Sequence, residues 1–94
     1  MKTNQFITYL NRYEKYFLQQ RKNYRLSSIN RDILDALLSI IVVCRNVDKG
    51  CALMCCFDDM KFIHSNLSES SFTKIEYVGI LSFFKLISKY YGCK

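Results

Sequence analysis

Apolar residues recur at Phe6, Leu10, Tyr13 and Phe17, in steps of four, three and four, which trace one face of an α-helix. The spacing predicts a first helix over residues 3–22. Arg12, Lys15, Gln19 and Lys22 fall on its opposite face, with Tyr9 and Tyr16 along one edge. A polar turn over 23–28 leads to a second helix, expected over 29–45 and capped by Ser28 or Asn30, with Asp32 well placed in its first turn. Ile33, Leu34, Leu37, Leu38 and Ile41 form its main face. Ile40, Val42 and Val43 lie outside that face, so the C-terminal half is apolar nearly all round. Such a helix belongs at the centre of a fold, although the β-branched run 40–43 also suits a strand.

After a turn over 46–50, residues 51–64 place Leu53, Cys56, Phe57, Met60 and Ile63 at helical spacing. The rival reading is a hairpin with strands 51–57 and 60–65 about Asp58-Asp59, a poor two-residue turn beside Asn-Gly or Asp-Gly. A serine-rich turn over 65–71 then opens a last helix, expected over 71–91 and stopped by Gly92. Lys74, Ser82, Lys85 and Lys89 mark a narrow polar stripe on it, and most of the remainder is large and apolar. The expected architecture is all-α: a compact bundle of about four helices forming a single domain across 1–94. The alternative is a winged-helix-like α+β fold with a hairpin at 51–64.

Composition sharpens this picture. Half of the 94 residues are hydrophobic and 15% aromatic, more than disorder allows and more than so short a chain hides in a monomer. Self-association through the last helix, or capture of a partner, is the expected outlet. There is no proline and there are only three glycines, which favours helices over a turn-rich β fold. Asn, Lys, Ile, Phe and Tyr together supply 38 residues, a bias towards AT-rich codons that fits a virus, phage or mobile element. The longest apolar stretch, 33–44, is broken by Asp35 and Ser39 and is too short to span a bilayer. With no leader-like start and an odd set of five cysteines, a reducing, cytoplasmic setting is expected.

The net charge of +6 is confined to one end. Residues 1–31 hold seven Lys and Arg against Glu14 alone, whereas 32–94 hold seven bases and seven acids. A segment so one-sided suits a surface that meets something negative.

Chemistry is sparse by comparison. Cys51 and Cys55 share a helical face, but zinc needs four ligands, usually as two close pairs, and His64 is the only histidine. The cysteines read as small core hydrophobes. Adjacent Asp58 and Asp59 point in different directions on a helix and cannot pair as acid and base, and VDKG at 47–50 lacks the spacing of a phosphate-binding loop. No enzyme, metal site or cofactor is expected.

Two binding readings remain. The first is a non-enzymatic protein–protein module (an adaptor, chaperone-like subunit or inhibitor) that occludes a partner surface. Arg12, Lys15, Lys22 and Arg25 would steer an acidic partner, and Tyr77, Phe83, Phe84 and Tyr91 would anchor it. The second is a helix-turn-helix DNA-binding regulator over 59–78. Its pattern runs Phe62, Asn66 at the turn, then Leu67, Phe72 and Ile75 as apolar positions, which would expose Ser70, Ser71, Thr73 and Lys74 to nucleic acid. Tyr9, Tyr16 and Tyr24 could stack on bases. Against it, Phe62 is bulky where a small residue is usual, and Glu69 and Glu76 would repel phosphates.

Overall fold

The computed structural model describes residues 2–23, 25–47 and 49–92. Five helices follow in order: α1 (Thr3–Arg21), α2 (Ser28–Asn46), α3 (Lys49–Cys55), α4 (Phe57–Asn66) and, after a 3-10 turn at Leu67–Glu69, α5 (Lys74–Tyr91). No strand occurs among the described residues. The all-α bundle of about four helices is therefore what forms, with α3 and α4 as two halves of one bent arm.

The bend lies at Cys56 (φ −107°, ψ 10°). The hydrogen-bond ladder carries across it, since the Cys56 N–H donates to the Ala52 carbonyl (3.1 Å) and the Cys56 carbonyl accepts from the Met60 N–H (3.0 Å). The hairpin at 51–64 does not form, and the winged-helix alternative goes with it. Asp58 and Asp59 sit in the first turn of α4, where carboxylates suit the positive end of the helix dipole.

α2 is the central helix, as its apolar excess requires. It buries Ile33, Leu34, Ala36, Leu37, Ile40, Ile41 and Cys44 and packs against α1, α3 and α4. Its cap is neither Ser28 nor Asn30 but Ser27, whose hydroxyl accepts from the Asn30 N–H (3.2 Å). Asn30 is instead a buried polar side chain, and its Oδ1 accepts from the Ser71 N–H (2.9 Å). That bond fastens the loop ahead of α5 to the start of α2.

α1 buries Phe6, Leu10 and Phe17, as its periodicity demands. Two ion pairs hold it on α2. Arg21 Nε donates to Asp35 (2.7 Å), and Arg45 reaches both carboxylate oxygens of Glu14 (3.0 and 3.2 Å) and Asn11 (2.7 Å). α5 closes the core with aromatic rings. Phe83 meets Phe17 edge-on (5.5 Å) and lies 5.3 Å from Tyr13, while Tyr90 stacks on Phe6 at 3.7 Å.

α5 begins three residues later than its apolar content suggests. Thr73 is its cap, its hydroxyl accepting from the Glu76 N–H (3.2 Å) while the Glu76 carboxylate accepts from the Thr73 N–H (2.9 Å). This is a reciprocal capping box. Gly92 ends the helix in the left-handed conformation (φ 69°) that a residue with a Cβ resists. No helix among the described residues is long and apolar enough to cross a membrane.

Candidate docking groove

α4 and α5 run beside one another without closing the space between them. Met60 and His64 on α4 face Leu81, Phe84, Lys85, Ile87 and Ser88 on α5 across a cleft of about 580 Å³. The cleft continues over the outer side of α4, along Phe57, Lys61 and Ser65. His64 stacks on Phe84 with ring centroids 5.0 Å apart, which ties the two walls of the seam together.

The groove follows from the helical period. Ile63 and Cys56 take the core-facing stripe of α4, which turns Met60, His64 and Phe57 progressively outward. On α5, Ile80, Phe83, Leu86 and Ile87 fill the core, leaving Tyr77, Val78 and Leu81 on the flank towards α4 or in solvent. Phe57 remains 61% exposed and Val78 52%. Phe57, Leu81 and Val78 thus leave apolar surface open to solvent on α4 and α5.

The anchor residues expected on α5 divide. Tyr77 is exposed and Phe84 half-buried in the groove wall. Phe83 is a correction: it is wholly buried against Tyr13 and Phe17 and cannot touch a partner. Tyr91 is also displaced from that role, being half-buried on the far side of the bundle against Phe6 and Cys44. Its neighbours there are core residues. Met60, Lys61, His64, Leu81, Lys85 and Ser88 are not among the partner-binding residues expected from sequence, because a groove between two helices is a property of their packing.

The basic residues of α1 lie elsewhere. Arg12, Lys15 and Lys22 are exposed, with the Arg12 guanidinium over the Tyr9 ring (5.6 Å) and no ion pair among the described residues. Arg25 is exposed in the loop that follows, where its N–H donates to Asn23 Oδ1 (3.0 Å). α1 flanks α5 on the side away from the groove, through Tyr16 beside Gly79 and Tyr13 beside Ser82.

The residues expected to read DNA are tied into the fold. Ser70 Oγ donates to the Leu67 carbonyl (2.6 Å), the Ser71 N–H is held by Asn30, and Thr73 caps α5. Only Lys74 of the four lies on the helix. Leu67 is buried, as the helix-turn-helix pattern asks, but Ile75 is 80% exposed where the pattern needs a core contact. Seven residues also separate α4 from α5, against the short turn that places a recognition helix. Tyr24 lies outside the described residues.

Two thiols, Cys51 and Cys55, are exposed on α3, and two, Cys44 and Cys56, are buried. Cys93 lies outside the described residues. No group of three or more metal-ligating side chains occurs among the described residues. Comparison with family models, with curated proteins and with solved structures finds no match to this chain, and what the groove can do follows from its own residues.

Proposed function

We propose that this chain is a non-enzymatic protein-binding module that occludes a partner by docking it in the groove between α4 and α5. The observation that carries this reading is the open apolar seam itself, floored by Met60, Leu81, Phe84 and Ile87. Water held over such a surface is released on docking, at roughly 25 cal/mol per Å² of apolar area covered. The basic face of α1 is a second surface that raises the encounter rate with an acidic partner.

A peptide-display selection tests this, with the wild type as bait and Leu81→Asp as counter-bait. Leu81 sits at the surface, so the charged variant is expected to keep its helical circular dichroism. Binders that are enriched on the wild type and lost on Leu81→Asp support the reading. Binders indifferent to Leu81, together with tight binding of a mixed-sequence DNA duplex that weakens linearly in log salt, would replace it with the nucleic-acid reading.

A further inference from the structure

We infer that the occupant of this groove is a short amphipathic α-helix whose apolar stripe is flanked by acidic residues. The inference rests on the docking reading above and adds the chemistry of the partner.

Charge selects the flanks. Among the described residues, the lysines and arginines that line the groove are Lys61 on the outer rim of α4 and Lys85 on α5, and no carboxylate lines it. Neither lysine is ion-paired among the described residues. An apolar floor between two ammonium rims matches a ligand with an apolar centre and a negative edge on either side. Basic flanks would meet like charge at both walls.

Backbone chemistry selects the helix. An extended segment laid in the groove needs partners for its own N–H and C=O groups, as strands do at a sheet edge. Apart from the lysines, the lining offers, among the described residues, only Ser65, Ser88 and His64 as polar side chains, and both walls are helices whose backbone groups are already bonded within them. A helical occupant satisfies its own backbone and presents a single apolar stripe, which is what the floor can accept. α4 is ten residues long, about 15 Å at 1.5 Å per residue, so about three turns of a partner helix fill the seam. Met60, unbranched and adaptable, lets the floor fit more than one apolar stripe.

The same rims disfavour a second copy of this chain. A two-fold pairing of groove on groove sets the Lys61 and Lys85 edges of one copy against those of the other, with no acid in the lining to separate them.

Three fluorescein-labelled synthetic peptides test the inference. They share one leucine stripe at helical spacing and carry Glu, Gln or Lys on both flanks, and anisotropy is read at 100 mM salt against the full chain. The Glu-flanked peptide should bind about tenfold or more tighter than the Lys-flanked one. Lys61→Glu with Lys85→Glu should reverse that order, Leu81→Asp should abolish binding of all three, and reversal of Arg12, Lys15 and Lys22 should leave the order unchanged. If the Gln or Lys peptide binds as tightly, still dependent on Leu81, the acidic partner is wrong and the docking reading stands. If no peptide binds in a Leu81-dependent way, both fall. If sedimentation shows a dimer that Leu81→Asp dissociates, the occupant is a second copy and the inference is overturned.

Discussion

The cysteines show how one residue type takes two roles at a distance of a few positions. Cys51 and Cys55 face solvent, whereas Cys44 and Cys56 are buried. Burial, followed by the neighbouring Cys44, pushes the Cys56 thiol up to about 11. Cys44 is raised by burial as well, against the pull of its hydrogen bond with the Tyr91 hydroxyl. Because the thiolate is the reactive form, an aromatic disulfide reagent at pH 8 should titrate Cys51 and Cys55 rapidly in a Cys93→Ser background. Cys44 and Cys56 should react only after denaturant is added. Four equally fast thiols would contradict the buried pair. The same shift links to stability. The unfolded Cys56 ionises near 9.0 and the folded one near 11, so the neutral thiol favours the fold below pH 9 and that contribution drains away as pH rises from 9 towards 11. Tyr91, raised by burial, acts in the same direction at higher pH. Urea midpoints at pH 8, 9 and 10 should fall with pH, and fall less steeply in Cys56→Ala. Asn30 offers a second test of burial: Asn30→Leu strands the Ser71 N–H, and the fold should lose about 1–3 kcal/mol in the same denaturation assay.

Between elements, α1 reaches α5 at a position where α5 carries no side chain. A Cβ on Gly79 would lie 3.0 Å from the Tyr16 ring, so glycine is what lets α1 and α5 meet there. Gly79→Leu should cost about 1–3 kcal/mol by overpacking, and Tyr16→Ala in the same chain should restore part of it, read as recovery of the urea midpoint. Element type was legible because Phe6, Leu10 and Phe17, and likewise Ile33, Leu37 and Ile41, repeat at the helical period, and a one-sided period leaves little choice. Boundaries were less so. Ser27, Ser28 and Asn30 can all cap a helix; in the fold the Asn30 side chain is taken by Ser71, and Ser27 accepts from the Asn30 N–H. At α5, Thr73 and Glu76 carry a capping-box signature, yet the apolar Phe72 draws the expected start upstream. The break at Cys56 has no local signal at all, since neither glycine nor proline marks it. Phe83 and Phe84 show the deeper limit. On a helix apolar almost all round, which of two adjacent rings faces inward depends on where α1 and α4 lie.

At the scale of the whole molecule, charge is sorted into a part that holds the fold together and a part left over. Arg21 and Arg45 are spent on Asp35 and Glu14, joining α1 to α2, while Arg12, Lys15 and Lys22 remain on the outer face of α1. α5 stands between that face and the groove, with α1 on one flank and the cleft on the other. The two positive surfaces are thus expected to act at different stages of binding. Exposed charges far from the contact alter how often partners meet, and charges in the contact alter how long they stay. Reversing Arg12, Lys15 and Lys22 to Glu should therefore slow association of the Glu-flanked helix with little change in its dissociation. The effect should shrink as salt rises, because exposed charges are screened beyond about 10 Å at 0.1 M. Reversing Lys61 and Lys85 should mainly speed dissociation. Exposed charges add little to stability, so the urea midpoints of both variants should stay near that of the wild type. Surface plasmon resonance at 50 and 300 mM salt separates the two rates. If the α1 reversal leaves association unchanged at 50 mM, the charge at the N-terminal end serves only to solvate its helix, and binding belongs to the groove alone.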